Sequence, residues 1–215
     1  MIKALIFDCW GTLFTNTQRP HPFAVFAEKL GYEIDDRSFL KLFEQHIMAN
    51  DNPVSNNVSS LLSELKISAT LDYVEELTNI ILSSLPTQTV YKDTIQSLNR
   101  LKKDYQLILL SNTFKEGFTN LRKNYSIDDW FELVLLSYQE NMIKPNEKLY
   151  EKILSITKLK PNETIMVGDN YHDDVLVANE SGISAILLDR RKRYPEVTKD
   201  KVHNLGELES YLKSK

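Results

Sequence analysis

Five short runs rich in Ile, Leu and Val constrain the fold of this chain more than any other feature. They are KALIF (3–7), QLILLS (106–111), FELVLLS (131–137), TIMVG (164–168) and SAILLD (184–189). Each is too continuously apolar to keep one face in water, so each reads as a strand buried on both faces. Amphipathic stretches separate them. DTIQSLNRLKKDY sets Ile95, Leu98 and Leu101 at helical spacing, and NEKLYEKILSIT does the same with Leu149, Ile153 and Ile156. Strand and helix in alternation predict an α/β fold, a doubly wound parallel five-stranded sheet covered on both sides.

The interval after the first strand breaks this alternation. Between Thr15 and about Leu85 lie four helical patterns, PFAVFAEKLGY, DRSFLKLFEQHIMAN, NVSSLLSELKI and LDYVEELTNIILSSL, and no strand pattern. They predict an α-helical cap domain at 15–85, inserted into a core domain of residues 1–14 and 86–215 and sitting over the carboxyl ends of the strands. Pro86 with the polar TQT after it reads as the return linker.

A chain of 215 residues with 42% hydrophobic content can bury such a core. Its net charge of −4 gives no general attraction to nucleic acid or to an anionic membrane. No segment approaches the ~20 apolar residues that span a bilayer. The one basic run, Arg190-Arg191-Lys192-Arg193, reads as a solvated loop. With Cys9 as the single cysteine and no secretory pattern in IKALIFD, a cytoplasmic location is expected.

Ligands of open α/β sheets bind beyond the carboxyl ends of the strands, so the residues there carry the functional reading. Asp8 ends the first run, Ser111 and Asn112 the second, Lys144 follows the third, and Asp169 ends the fourth, with Asp173 and Asp174 close behind. Singly, each has an ordinary structural explanation as a cap, a turn former or a solvated charge. Together, an acid, a hydroxyl, a lysine and clustered acids form a set suited to phosphoryl transfer onto a carboxylate. Asp8 can attack phosphorus, Ser111 and Lys144 can hold phosphoryl oxygens, and the carboxylates can hold Mg²⁺.

These segments resemble the four motifs of the haloacid dehalogenase superfamily. FDCWGTLF is similar to the first motif, LILLSNT to the second, IKP to the third and MVGDNYHDDV to the fourth. The resemblance implies a Mg²⁺-dependent hydrolase of a small phosphorylated metabolite, acting through an aspartyl-phosphate on Asp8, with Ser111 and Lys144 as further catalytic residues. It also implies phosphate binding by Gly11, Thr12, Ser111, Asn112 and Lys144, and metal binding by Asp8, the Trp10 carbonyl, Asp169 and Asp174. Asp174 is preferred to Asp173 because DVLVAN aligns with the family's usual helix start. The assembly is expected to be a monomer or a homodimer.

Trp10 departs from the pattern. Most phosphatases of the family carry a second aspartate there, which protonates the leaving group and then activates water. An indole does neither, and proton transfer of this kind is worth roughly 10²–10⁴ in rate. Three readings follow. The first is a phosphatase whose substrate needs no acid, or whose acid is water or a cap residue. The second is a carbon–halogen hydrolase like the 2-haloacid dehalogenases, where an aromatic residue is common at this position. The third is a catalytically weak phospho-ligand binding protein. The intact Gly168-Asp169 pair favours the first. His172 is a candidate replacement acid, although a surface histidine at a helix start is the preferred reading.

Overall fold

The computed structural model describes residues 1–214. The chain opens with β1 (Ala4–Phe7) and β2 (Phe14–Asn16) and continues through α1 (Pro22–Lys29), α2 (Arg37–Phe43), α3 (Val54–Glu64) and α4 (Leu71–Leu82). It returns through β3 (Gln88–Val90), α5 (Thr94–Leu101), β4 (Gln106–Ser111) and α6 (Lys115–Asn124). The remaining strands are β5 (Leu133–Leu136), β6 (Thr164–Gly168), β7 (Ser184–Leu188) and β8 (Lys201–Val202).

Six of these strands form one parallel sheet in the order β5-β4-β1-β6-β7-β8. The five expected strands are present, and β8 adds a sixth at the edge. At two residues it is too short to leave an apolar pattern. Side chains alternate between the two faces, as strand geometry requires. Leu5, Phe7, Leu107, Leu109, Ile165 and Val167 enter one core, while Ala4, Ile6, Ile108, Leu110 and Met166 enter the other. Leu98, Leu101, Leu149 and Ile153 are buried as expected, but Ile95 and Ile156 are 41% and 51% exposed. In the Glu147–Thr157 helix Tyr150, fully buried, takes the inward position instead.

After β1 the chain builds β4 and β5 on one side, then crosses over to build β6, β7 and β8 on the other. The winding therefore reverses at β1, and a crevice opens beyond its carboxyl end, flanked by the ends of β4 and β6.

The four helices α1 to α4 pack around a third apolar cluster that includes Phe26, Phe39, Phe43, Ile47, Leu61 and Leu77, and Phe114 from the core reaches into it. The connections to these helices are not plain linkers. β2 and β3 pair antiparallel, Phe14 against Val90 and Asn16 against Gln88, forming a small ribbon at the point of insertion. No helix among the described residues is long and apolar enough to cross a membrane.

Candidate active site

Asp8 directly follows β1 at the reversal point and is 6% exposed. Its carboxylate is gripped from two sides. Thr12 Oγ1 donates to Oδ2 at 2.9 Å, and Lys144 Nζ donates to Oδ1 at 2.8 Å. Lys144 Nζ also donates to Asp174 Oδ1 at 2.6 Å, so one buried ammonium bridges two acids. The lysine is held by Asn112, whose side-chain amide donates to the Lys144 carbonyl at 3.0 Å and accepts from its N–H at 2.8 Å.

Asp169 and Asp174 come from the loop and wide π-type turn after β6. Asn170 caps that turn, its side chain accepting from the N–H groups of His172 and Asp173, while its own N–H donates to Asp174 Oδ2 at 3.0 Å. Asp174, rather than Asp173, joins Asp8 and Asp169 in a cluster whose ligand atoms lie within 4.8 Å of one another. Burial, opposed by Lys144, pushes the Asp8 carboxyl up to about 6. Burial and the neighbouring Asp8 and Asp174 push Asp169 up to about 7. Three acids so placed, with Lys144 and Arg193 as their cationic partners, are the donor set of a hard divalent cation such as Mg²⁺, which takes oxygen ligands. The residues therefore fit the expected metal.

Close approach dictates both glycines here. Gly11 has φ +83°, and a Cβ on it would lie 2.1 Å from Asp169 Oδ2. A Cβ on Gly168 would lie 2.2 Å from Asp174 Oδ2. Gly11 N–H is committed to the Phe14 carbonyl at 2.7 Å, so its contribution to the site is space. Thr12 is fully buried and serves the Asp8 carboxylate. Ser111 is 1% exposed, with its hydroxyl 3.4 Å from the Asn112 carbonyl. Cys9 is fully buried in the core, and burial pushes its thiol up.

Above the acids lies a cavity of about 320 Å³ lined by Asp8, Trp10, Asn112, Lys144, Asp169 and Asp174, with His21, Glu44 and Met48 from the helical insert. Trp10 is half-buried on its wall, its indole Nε1 donating to Thr113 Oγ1 at 3.3 Å and its ring edge-on to Phe14. Phe114 lines the same cavity, whereas Phe14 is fully buried in the core. His172 is exposed at the turn's start, in the surface position preferred for it.

The basic run is a loop after β7 with Arg191, Lys192 and Arg193 exposed, as expected, but its arginines are tied to the site. Asp189, 2% exposed after β7, accepts from the N–H groups of Arg193 and Tyr194 and folds the loop back. Arg193 then reaches Asp169 Oδ2 at 2.6 Å, Arg190 pairs with Asp93 and donates to the Thr12 carbonyl, and Arg191 lines the cavity. Sequence reading also missed Glu44, whose helical pattern does not say which of its faces meets the core.

The chain belongs to the haloacid dehalogenase-like hydrolases, whose family pattern matches residues 2–182. It is 32% identical over 119 residues to glyceraldehyde 3-phosphate phosphatase of Methanothermobacter thermautotrophicus, covering 54% of this chain and 51% of that protein. The chain spans about half or less of the length of the curated relatives it matches. In fold it is similar to a HAD phosphatase from Thermococcus onnurineus (TM-score 0.66, 22% identity, 98% of each chain). It is also similar to a 2-haloacid dehalogenase from Pseudomonas syringae (TM-score 0.68, 20% identity, 100% and 99% of the two chains).

Proposed function

We propose that this chain is a Mg²⁺-dependent phosphatase of a small phosphorylated metabolite, with Asp8 as nucleophile and residues 15–85 as a cap over the site. One observation carries the reading: the carboxylates of Asp8, Asp169 and Asp174 converge at the reversal point of the sheet, with Lys144 bridging two of them. Asp8, Asp169, Asp174 and the Trp10 carbonyl would hold the cation, which when bound offsets the repulsion between Asp8 and an incoming phosphate. Thr12 and Lys144 orient the Asp8 carboxylate toward phosphorus. Lys144 and Asn112, both on the cavity wall, supply donors to the phosphoryl oxygens. The Asp8–phosphorus bond forms as the bond to the leaving oxygen breaks, and water then returns Asp8 to its free form.

The second reading is carbon–halogen hydrolysis, which Trp10 favours because halide departs without a proton. Asp169 and Asp174 weigh against it, since they would repel a carboxylate substrate. The deciding experiment is phosphate release from an activated aryl phosphate, with Mg²⁺ and with chelator, using Asp8→Asn as control. Release that needs both the metal and Asp8 is the expected result. Chloride release from small haloacids, without phosphate release, would overturn it.

A further inference from the structure

The phosphatase chemistry lacks a proton donor at its usual place. The oxygen that leaves an alkyl phosphate departs as a strongly basic alkoxide unless it is protonated. Trp10 cannot supply that proton, and its indole N–H is already engaged with Thr113. In-line displacement puts the leaving oxygen opposite the nucleophile. Asp8 lies at the sheet end of the cavity, and the helical insert contributes His21, Glu44 and Met48 to its wall. Glu44 is the insert's one carboxylate among these lining residues. It also lines an adjoining recess of about 650 Å³, together with Lys144, Asn170 and Asp173. Its side chain therefore stands at the boundary between the space where phosphorus would react and the space open to a leaving group.

The turn that carries Glu44 is fixed. Residues Glu44–Met48 form a wide π-type turn, a departure from regular helix that recurs at functional sites. The buried Ser137 hydroxyl, beside the end of β5, donates to the Met48 carbonyl, and Asn57 donates to the carbonyls of Ile47 and Asn50. A second such turn, Tyr171–Leu176, carries Asp173 and Asp174 on the core side.

We propose that Glu44 is the proton donor and acceptor for transfer at Asp8, in place of the carboxylate that Trp10 displaces; this rests on the phosphatase reading. As the Asp8–phosphorus bond forms and the bond to the leaving oxygen breaks, the Glu44 carboxyl proton passes to that oxygen and the alcohol departs. Glu44, now a carboxylate, takes a proton from water as the water oxygen bonds to phosphorus and the Asp8–phosphorus bond breaks. Inorganic phosphate leaves, and Glu44 is again protonated.

The surroundings suit that role. Burial first, then the facing carboxylate of Asp173, holds Glu44 at about 7, with Lys144 opposing and Asp174 adding to the effect. Arg37 and Lys41 of α2 share the recess, and His172 lines it from the core. His21 is the other titratable group of the insert on the cavity. Burial and the nearby Arg19 and Arg191 hold it below the usual histidine range, and its Nδ1 already accepts from the Phe23 N–H, so it is a poor proton donor at neutral pH.

The test compares an alkyl phosphate with an activated aryl phosphate in the Mg²⁺-loaded wild type and in Glu44→Gln, Glu44→Asp and His21→Gln. Glu44→Gln is expected to lose about 10²–10⁴ in kcat on the alkyl phosphate. On the aryl phosphate it should release one equivalent of aryl alcohol in a burst and then turn over slowly, because only the water step still needs Glu44. Adding Trp10→Asp to Glu44→Gln should recover alkyl phosphate turnover. Equal losses on both substrates with no burst, wild-type kinetics, or the same selective loss in His21→Gln overturns the assignment. If Glu44→Gln does not fold, Glu44→Asp decides the matter: its loss in kcat/KM, which reports transfer to Asp8 and not the water step that both substrates share, must be larger on the alkyl phosphate, and equal losses in kcat/KM overturn the proposal. A wild type without Asp8-dependent phosphate release fails at the phosphatase reading itself, a separate and earlier result.

Discussion

Gly168 shows how tightly single residues are fixed by the acids around them. Its backbone does not occupy the left-handed region, so what forbids a side chain is Asp174, with its Cβ, Cγ and Oδ2 all within 2.5 Å of where a Cβ would lie. Gly168→Ala must push the Asp174 carboxylate away from Lys144 and from the other two acids. The expected outcome is at least a tenfold loss in Mg²⁺ affinity by titration calorimetry, with activity falling in parallel. Gly182 supplies the contrast. It has φ +75°, and the nearest atom to a Cβ there is on Pro161 at 3.5 Å. Gly182→Ala should cost about 1 kcal/mol of stability through backbone strain and leave Mg²⁺ affinity unchanged. Equal Mg²⁺ affinities in both variants and wild type would show that the acids relax around the new methyl group.

Among elements, the junction between sheet and insert depends on Ser137. This residue is 2% exposed, accepts from the Thr113 N–H at 2.9 Å and donates to the Met48 carbonyl, tying the ends of β4 and β5 to the Glu44–Met48 turn. Ser137→Ala strands a buried N–H and should cost about 1–3 kcal/mol, read as a lower urea midpoint. An unchanged midpoint would mean that another acceptor takes over. Elements of this kind also mark where the sequence stops being legible. The five central strands could be read because burial on both faces leaves runs of Ile, Leu and Val. The ribbon of Phe14–Asn16 and Gln88–Val90 could not, because three-residue strands held by backbone pairing need no apolar pattern. At the site, Asp8, Lys144, Asp169 and Asp174 were visible because each follows a strand of one sheet. Glu44, Arg193 and Asp189 were not, because their positions depend on how the helical insert docks and how the loop after Leu188 folds back.

The whole molecule carries a cost that pH should expose. Asp8, Asp169 and Glu44 sit at about 6, 7 and 7 in the folded protein against ordinary values of 3.8, 3.8 and 4.5, each raised first by burial. Between about pH 4 and 7 the folded chain therefore binds more protons than the unfolded chain, and under linkage its stability falls as pH rises through that window. Lys144 does not reverse the sign. Its folded value lies well above 10.5, so its favourable contribution is already complete below the unfolded value and stays constant across the window. The metal-free protein should show a urea midpoint that declines steadily from pH 5 to pH 8. Asp169→Asn, which removes one of the acids, should flatten that decline. Added Mg²⁺ should raise the midpoint most at pH 8, where the carboxylates are ionised and their repulsion is greatest. A metal-free midpoint that instead climbs with pH would mean that the favourable pairs of Asp8 with Lys144 and Asp169 with Arg193 outweigh burial. The acid cluster would then be a stabilising element of the fold, with no strain for a cation to relieve.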